Sequence, residues 1–315
     1  MRKTNVIFFI LLLFLFTLVD ILSAQEKPEA APAAASPAEA PPPETPPASA
    51  AETPAAAPAA VPAVRTIEEQ RLNTLLYGTE TEISNLIQTL KNEKVSYLDK
   101  ELIEIANNSR NRNILGGIFS FFGEAEKSGL EDRAIRAIAE RDEEANDTVL
   151  AAIDYLGRVK AAQAVQSLQE LINSGENRFL NPAIRALGRT AKGLGDTEEA
   201  AGKSDEIAIY LLDYYNNRSP VDENRREIIV ALGETGSKTA VSFLTGIIKS
   251  QDERAVLRMA ALDAVSKIGD PEGLDAIIKA VSSTDPNVRS SAIAALGPFS
   301  MEAADQAILE GFRDS

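Results

Sequence analysis

Along residues 65–315 the apolar positions recur at helical spacing, and no stretch holds the period-two alternation or the Val/Ile/Thr enrichment of a strand. The pattern predicts an all-α region. Within it a short segment ending in an apolar residue and glycine recurs. The copies close at Gly123, Gly157, Gly188, Gly233 and Gly297, and a sixth, Ala261–Ser266, has Ser in place of Gly. The closing positions stand 34, 31, 45, 33 and 31 residues apart. Removing an insertion of about 14 residues around Ala191–Ser204 restores the long interval to the common period, as repeat arrays allow.

Each copy has a simple physical reading. Positions five, four and one before the closing residue share one helical face, because successive residues turn by about 100°. In the clearest copy these are Ala183, Ile184 and Leu187. Position three before it, Asp154 or Arg185, faces solvent. The glycine is expected to end the helix in a left-handed conformation. Between copies lie second helices at Ala164–Ile172, Ile207–Tyr215, Ala240–Ile248 and Gly273–Val281. Two antiparallel helices in every 31–34 residues predict an α-solenoid, although the pattern leaves the phase of the pairs in 65–140 open.

The stretch Asp285-Pro286-Asn287-Val288-Arg289-Ser290-Ser291-Ala292-Ile293-Ala294-Ala295-Leu296-Gly297 resembles the second helix of a HEAT repeat, of the short bacterial kind called phycobilisome-lyase-like. Val256–Leu262 and Asn224–Ile229 are similar to it. At the family's Val-Arg position stand Arg225, Arg258 and Arg289, whereas the earlier copies have Leu115, Val149 and Leu180. The resemblance implies a fold of stacked helix pairs and a role in binding other proteins. It implies no reaction.

The first 64 residues follow other rules. Arg2 and Lys3 precede a 14-residue apolar run, Val6–Val19, broken only by Thr17. Asp20 closes the run, and Leu22-Ser23-Ala24 is similar to a small-residue cleavage site. The run is shorter than the ~20 residues needed to cross a bilayer, so residues 1–24 are expected to be an export signal and the chain periplasmic or secreted. A membrane contact is expected only if that segment stays uncleaved. With no cysteine in the chain, a lipoprotein anchor is excluded. Residues 25–64 are expected to form a disordered linker, because positions 26–64 hold 16 Ala and 11 Pro and cannot bury a core. At ~3.1 Å per residue in polyproline II form, that linker would span at most about 120 Å.

Composition narrows the chemistry. There is neither His nor Cys, so a Ser–His–Asp triad, a thiolate nucleophile and imidazole or thiolate metal sites are all excluded. The net charge of −15 argues against a nucleic-acid partner, which needs a dense set of cations. No cofactor is expected. Gly202-Lys203-Ser204 mimics the end of a phosphate loop, but Thr197 stands where the motif needs glycine and no strand precedes it. A helix N-cap at Ser204 or Asp205 explains it, and no nucleotide partner is expected.

The remaining candidates are surface ones. Arg225, Arg258 and Arg289 could form a ladder for an acidic partner or brace the inter-helix loops; their place near the packed face favours bracing. The clusters Asp142-Glu143-Glu144, Glu198-Glu199 and Asp252-Glu253 could serve glycoside hydrolysis or Ca²⁺ binding, but none has EF-hand spacing and all fall in expected loops or at helix starts, where the macrodipole favours acidic residues. Phe121, Tyr155 and Tyr214 lie off the core stripe, and with the solvent-row Arg185 they are the partner-interface candidates. The expected function is a non-enzymatic scaffold that binds a protein of the cell envelope through its helix array. The alternatives are a carboxylate-dependent cell-wall hydrolase and a structural spacer in an envelope assembly.

Overall fold

The structure, a computed structural model, describes residues 66–299 apart from 110, 195, 196 and 219. The expected export signal, the linker and a last helix at Met301–Phe312 lie outside them. Among the described residues there are fourteen α-helices and no strand: α1 Ile67–Tyr77, α2 Glu80–Glu93, α3 Asp99–Asn108, α4 Arg112–Glu124, α5 Glu131–Ala139, α6 Asn146–Arg158 and α7 Val165–Ser174, then α8 Asn177–Thr190, α9 Glu198–Arg218, α10 Asp222–Thr235, α11 Val241–Lys249, α12 Ala255–Ile268, α13 Leu274–Val281 and α14 Pro286–Ala295. Short polar caps set several starts. Thr66 with Glu69, and Thr79 with Glu82, form reciprocal capping boxes on α1 and α2. Asp285 accepts from the backbone N–H groups of Asn287 and Val288 at the start of α14.

Consecutive helices pack as pairs, and each even-numbered helix packs on the next even-numbered one, so the chain is an all-α solenoid. This settles the phase of the pairs in 65–140. It also discloses a further copy. In α2 the buried residues are Leu86, Ile87 and Leu90, the same stripe positions, with Lys91 where later copies have glycine. The stripe is buried in every copy except at Ile293 of α14, which is 40% exposed at the last described helix.

The glycines do something other than end their helices. Gly123, Gly157, Gly188 and Gly233 all lie inside α4, α6, α8 and α10, and none of them has a positive φ. They are instead points where the backbones of neighbouring even helices touch. A Cβ at Gly157 would sit 2.9 Å from Cα of Ala186, one at Gly188 2.8 Å from Cα of Ala231, and one at Gly233 2.6 Å from Cα of Ala264. The closing residue of each copy thus meets the residue two before the closing residue of the next. The left-handed residue lies three positions later, at Lys94, Glu126, Lys160, Gly236 and Gly269.

The α8 copy lacks that left-handed stop: Ala191 continues right-handed, at φ −55°. Here the chain enters the insertion, which is not a free loop. Ala191–Leu194 forms a 3₁₀ turn, and residues from Glu198 onward are the first turns of α9, making it 21 residues long. Ala191 and Ala200 are buried, and a Cβ at Gly193 would fall 1.9 Å from the Lys160 carbonyl oxygen. Deleting Gly193–Ala201 should therefore cost stability. Ser204 and Asp205 are interior to α9 rather than its cap, and Asp205 accepts hydrogen bonds from the Ser237 and Thr239 hydroxyls.

Candidate interaction face

The even helices bury their apolar stripe and leave a polar row outward. Because neighbouring copies stack along the array, charged residues within about one turn of the same repeat position meet across helices. Asp154 of α6 pairs with Arg158 one turn on, at 2.6 Å, and with Arg189 of α8, at 3.6 Å. Arg185 of α8 donates from Nη2 and Nε to Oε2 of Glu227 in α10, at 2.8 and 3.1 Å. Arg226 reaches the other Glu227 oxygen at 2.9 Å. Glu234 of α10 is held between Lys192, at 2.6 Å, and Lys267 of α12, at 2.9 Å; Lys267 also reaches Asp263 at 3.0 Å.

Six cations (Arg158, Arg185, Arg189, Lys192, Arg226 and Lys267) share four carboxylates (Asp154, Glu227, Glu234 and Asp263) across this row. The row is net positive on a chain of net charge −15. A shallow depression of about 340 Å³ runs over α8, α10 and α12, lined by Arg185, Arg189, Arg226, Glu227, Val230, Glu234 and Lys267. Burial would raise the Glu234 carboxyl, but hydrogen bonds from Lys192 and Lys267 outweigh it and hold the group below the usual carboxylate range. Burial likewise works against the charge on Lys267, and Glu234 and Asp263 more than restore it. The arrangement is a set of charged donors held in place by their neighbours. It holds no nucleophile–base pair.

Of the four candidates taken from the sequence, only Arg185 lies on this row. Phe121 is 2% and Tyr155 0% exposed, so neither can meet a partner at the surface. The reason is the stacking: both occupy the position two before the closing residue, which the preceding even helix covers. Gly123 lies against Tyr155, with a notional Cβ 3.3 Å from the Tyr155 Cα. The Tyr155 hydroxyl accepts the Leu130 N–H at 3.0 Å, supplying a cap that the start of α5 otherwise lacks, and the ring stacks on Phe119. Burial pushes the Tyr155 hydroxyl well above the usual tyrosine range. Phe121 packs edge-to-face on Phe122 beneath the Lys127 ammonium, 4.6 Å from the ring centre. Tyr214 is half-buried on α9, below Arg218. Its neighbours are engaged, Tyr210 with the Gln169 carbonyl and Tyr215 with Arg225.

The other sequence candidates resolve into structural contacts. Arg258 donates to the Ile248 carbonyl, Arg289 to the Ser283 and Thr284 carbonyls, and Arg225 to Tyr215, Asp222 and Glu253. They brace the loops, as their placement predicts. In the acidic clusters, Glu144 pairs with Arg133, Glu199 with Lys203 and Glu253 with Arg225. Gly202-Lys203-Ser204 is interior to α9 and forms no loop. Among the described residues no cluster of His, Cys, Asp or Glu could hold a metal ion, and no helix is long and apolar enough to cross a membrane.

Beyond Asp154 and Arg185, the members of the row that sequence reading passed over are Arg158, Arg189, Lys192, Arg226, Glu227, Glu234, Asp263 and Lys267. Their signal is there once charges are compared between copies: Arg185 and Glu227, or Lys192 and Glu234, carry opposite charge 42 residues apart, one helical turn short of the 45 residues between the two closing glycines.

No curated protein matches the chain. Among solved structures, human deoxyhypusine hydroxylase in complex with glycerol is loosely similar, at 14% identity over 73% of this chain and 94% of that one, with a TM-score of 0.33. A sequence model of the spirochaete HEAT repeat proteins matches residues 75–315, which include every even-numbered helix. The chain belongs to the family of spirochaete HEAT repeat proteins.

Proposed function

We propose that this chain is a non-enzymatic scaffold that takes a protein partner across the exposed row of α6, α8, α10 and α12. The observation that carries the reading is the net-positive, mutually braced row on a strongly acidic chain. Such a surface suits an acidic segment of a partner, because charge complementarity there selects partners and speeds their encounter. Tyr214, half-buried on α9, is a second contact candidate off this row. The absence of His and Cys from the whole chain, together with the loop-bracing role of the arginines, supports a binding role over a hydrolytic one. We place the action outside the cytoplasm, on the strength of the basic, apolar and small-residue pattern of residues 1–24.

Affinity capture from an envelope extract tests this, using the full chain beside a variant carrying Arg185→Glu and Arg226→Glu. The reading expects a partner held by the first chain and released by the second, with the captured amount falling as salt rises. Equal capture by both chains would move the interface elsewhere.

A further inference from the structure

The cations of the charged row are not equally satisfied. Arg158 in α6 takes Asp154 one turn back, and Lys267 in α12 takes Asp263 in the same way, at 2.6 and 3.0 Å. Arg189 holds the matching place in α8, one residue after the closing position, but one turn back from it stands Arg185, a like charge. The carboxylate at the matching place in α10, Glu234, is already held by Lys192 and Lys267. Arg189 is left with Asp154 alone, at 3.6 Å, and Arg158 holds that carboxylate more closely. Among the described residues the Arg189 guanidinium donates no hydrogen bond, although it has five donors to give. It is within reach from outside: the side chain is 36% exposed and lines the depression over α8, α10 and α12.

Beside this open fork lies an apolar side chain. Gly188 meets Ala231 at backbone contact, with a notional Cβ 2.8 Å from the Ala231 Cα, and the residues next to that pair, Arg189 and Val230, both line the depression. Val230 stands three before its closing glycine, where Asp154, Arg185 and Asp263 carry charge in the neighbouring copies. We infer that Arg189 is the anchor of the partner segment, an inference that rests on the reading of this row as a partner face. A glutamate or aspartate of the segment places its two oxygens on the Arg189 fork, and an adjacent apolar side chain lies on Val230. Glu227 and Glu234 border the same depression and would repel the second charge of a phosphate, which favours a carboxylate.

Fluorescence anisotropy of the full chain tests the assignment, with an end-blocked, labelled octapeptide of alternating Glu and Leu beside one of alternating Glu and Gly. The expected result is saturable binding of the Glu-Leu peptide, weaker binding of the Glu-Gly one, and a loss of about tenfold or more in Arg189→Gln. Arg189→Lys, which keeps the charge but not the fork, should also bind more weakly than the parent chain. Lys279→Gln removes the same charge from an exposed site on α13, away from the row, and should leave the affinity unchanged. Thermal melts verify that each variant folds. Binding lost in the Arg185→Glu, Arg226→Glu chain but kept in Arg189→Gln would overturn the anchor and leave the face standing, whereas binding kept in both would remove the face as well. No saturable binding at about 1 mM peptide would also overturn the anchor, as would equal affinity of Arg189→Lys, of the Glu-Gly peptide, or tighter binding of a phosphoserine–leucine counterpart.

Discussion

The middle of the array and its front solve the same packing problem differently. From α6 to α12 the closest backbone approach between neighbouring even helices is a small residue against a small residue: Gly157 on Ala186, Gly188 on Ala231, Gly233 on Ala264. Backbones touch, and no side chain lies between them. At the front, Gly123 of α4 meets the Tyr155 backbone less closely, with a notional Cβ 3.3 Å from its Cα, and the Tyr155 ring stacks on Phe119 while its hydroxyl caps α5. Lys91 of α2 stands where glycine would be and instead reaches Ser120 and Glu124 of α4. The lesson is that the repeat conserves a distance between helices through two different devices. Small pairs set it by contact, and large residues set it by filling and hydrogen bonding.

The comparison predicts an order of sensitivities. Largest are the stripe leucines of the middle region. Leu156→Ala, Leu187→Ala and Leu232→Ala, all at fully buried positions, should each cost about 2–5 kcal/mol in denaturant unfolding, as lost transfer energy plus a cavity. Next are the small pairs. Gly157→Ala or Gly188→Ala drives a methyl into the facing backbone and should cost about 1–3 kcal/mol, the usual range for overpacking. Gly123→Ala, with its nearest contact at 3.3 Å, should be close to neutral, because helix propensity offsets a slight crowding. Tyr155→Phe should cost about 1–2 kcal/mol, since it strands the buried Leu130 N–H while leaving the ring in place. If it were silent, the front would be held by packing alone.

Smallest are the charged-row effects. Asp154→Ala should change stability by no more than about 0.5 kcal/mol, as expected of an exposed pair. Glu234 supplies a pH dependence. Its folded pKa is depressed below the ordinary 4.5, so its contribution is complete above that value and is lost as pH falls through the folded one. Glu234→Gln should therefore lower stability at pH 7 and flatten the loss on acidification below about pH 4.5, measured by thermal melts across pH.

Much of this arrangement is legible in the sequence, and the exceptions have a common cause. The stripe at Ala183, Ile184 and Leu187 and the solvent row at Asp154 and Arg185 follow from the helical period alone. What the period of one helix cannot convey is what the next helix covers. For that reason Phe121 and Tyr155 read as flank residues but are buried, and Gly157 reads as a stop but is a contact. The α2 copy is hidden for a related reason: with Lys91 in the glycine's place, its only signature is Leu86, Ile87 and Leu90, which any amphipathic helix could show. The insertion breaks the period without showing its form, and it extends a helix at a copy that lacks the left-handed stop.

The central claim is that the repeat glycines are contact points rather than helix ends, and a pair of substitutions in adjacent helices tests it directly. Gly246 lies inside α11 with nothing within 4 Å of a notional Cβ, whereas at Gly233, inside α10, that atom would sit 2.6 Å from the Ala264 backbone. Urea unfolding of the two alanine variants should therefore move in opposite directions: Gly246→Ala gains up to about 1 kcal/mol from helix propensity, and Gly233→Ala loses stability despite the same gain. Equal stabilisation of both would show that α10 and α12 do not meet at Gly233, and the ladder of small pairs would fall with it.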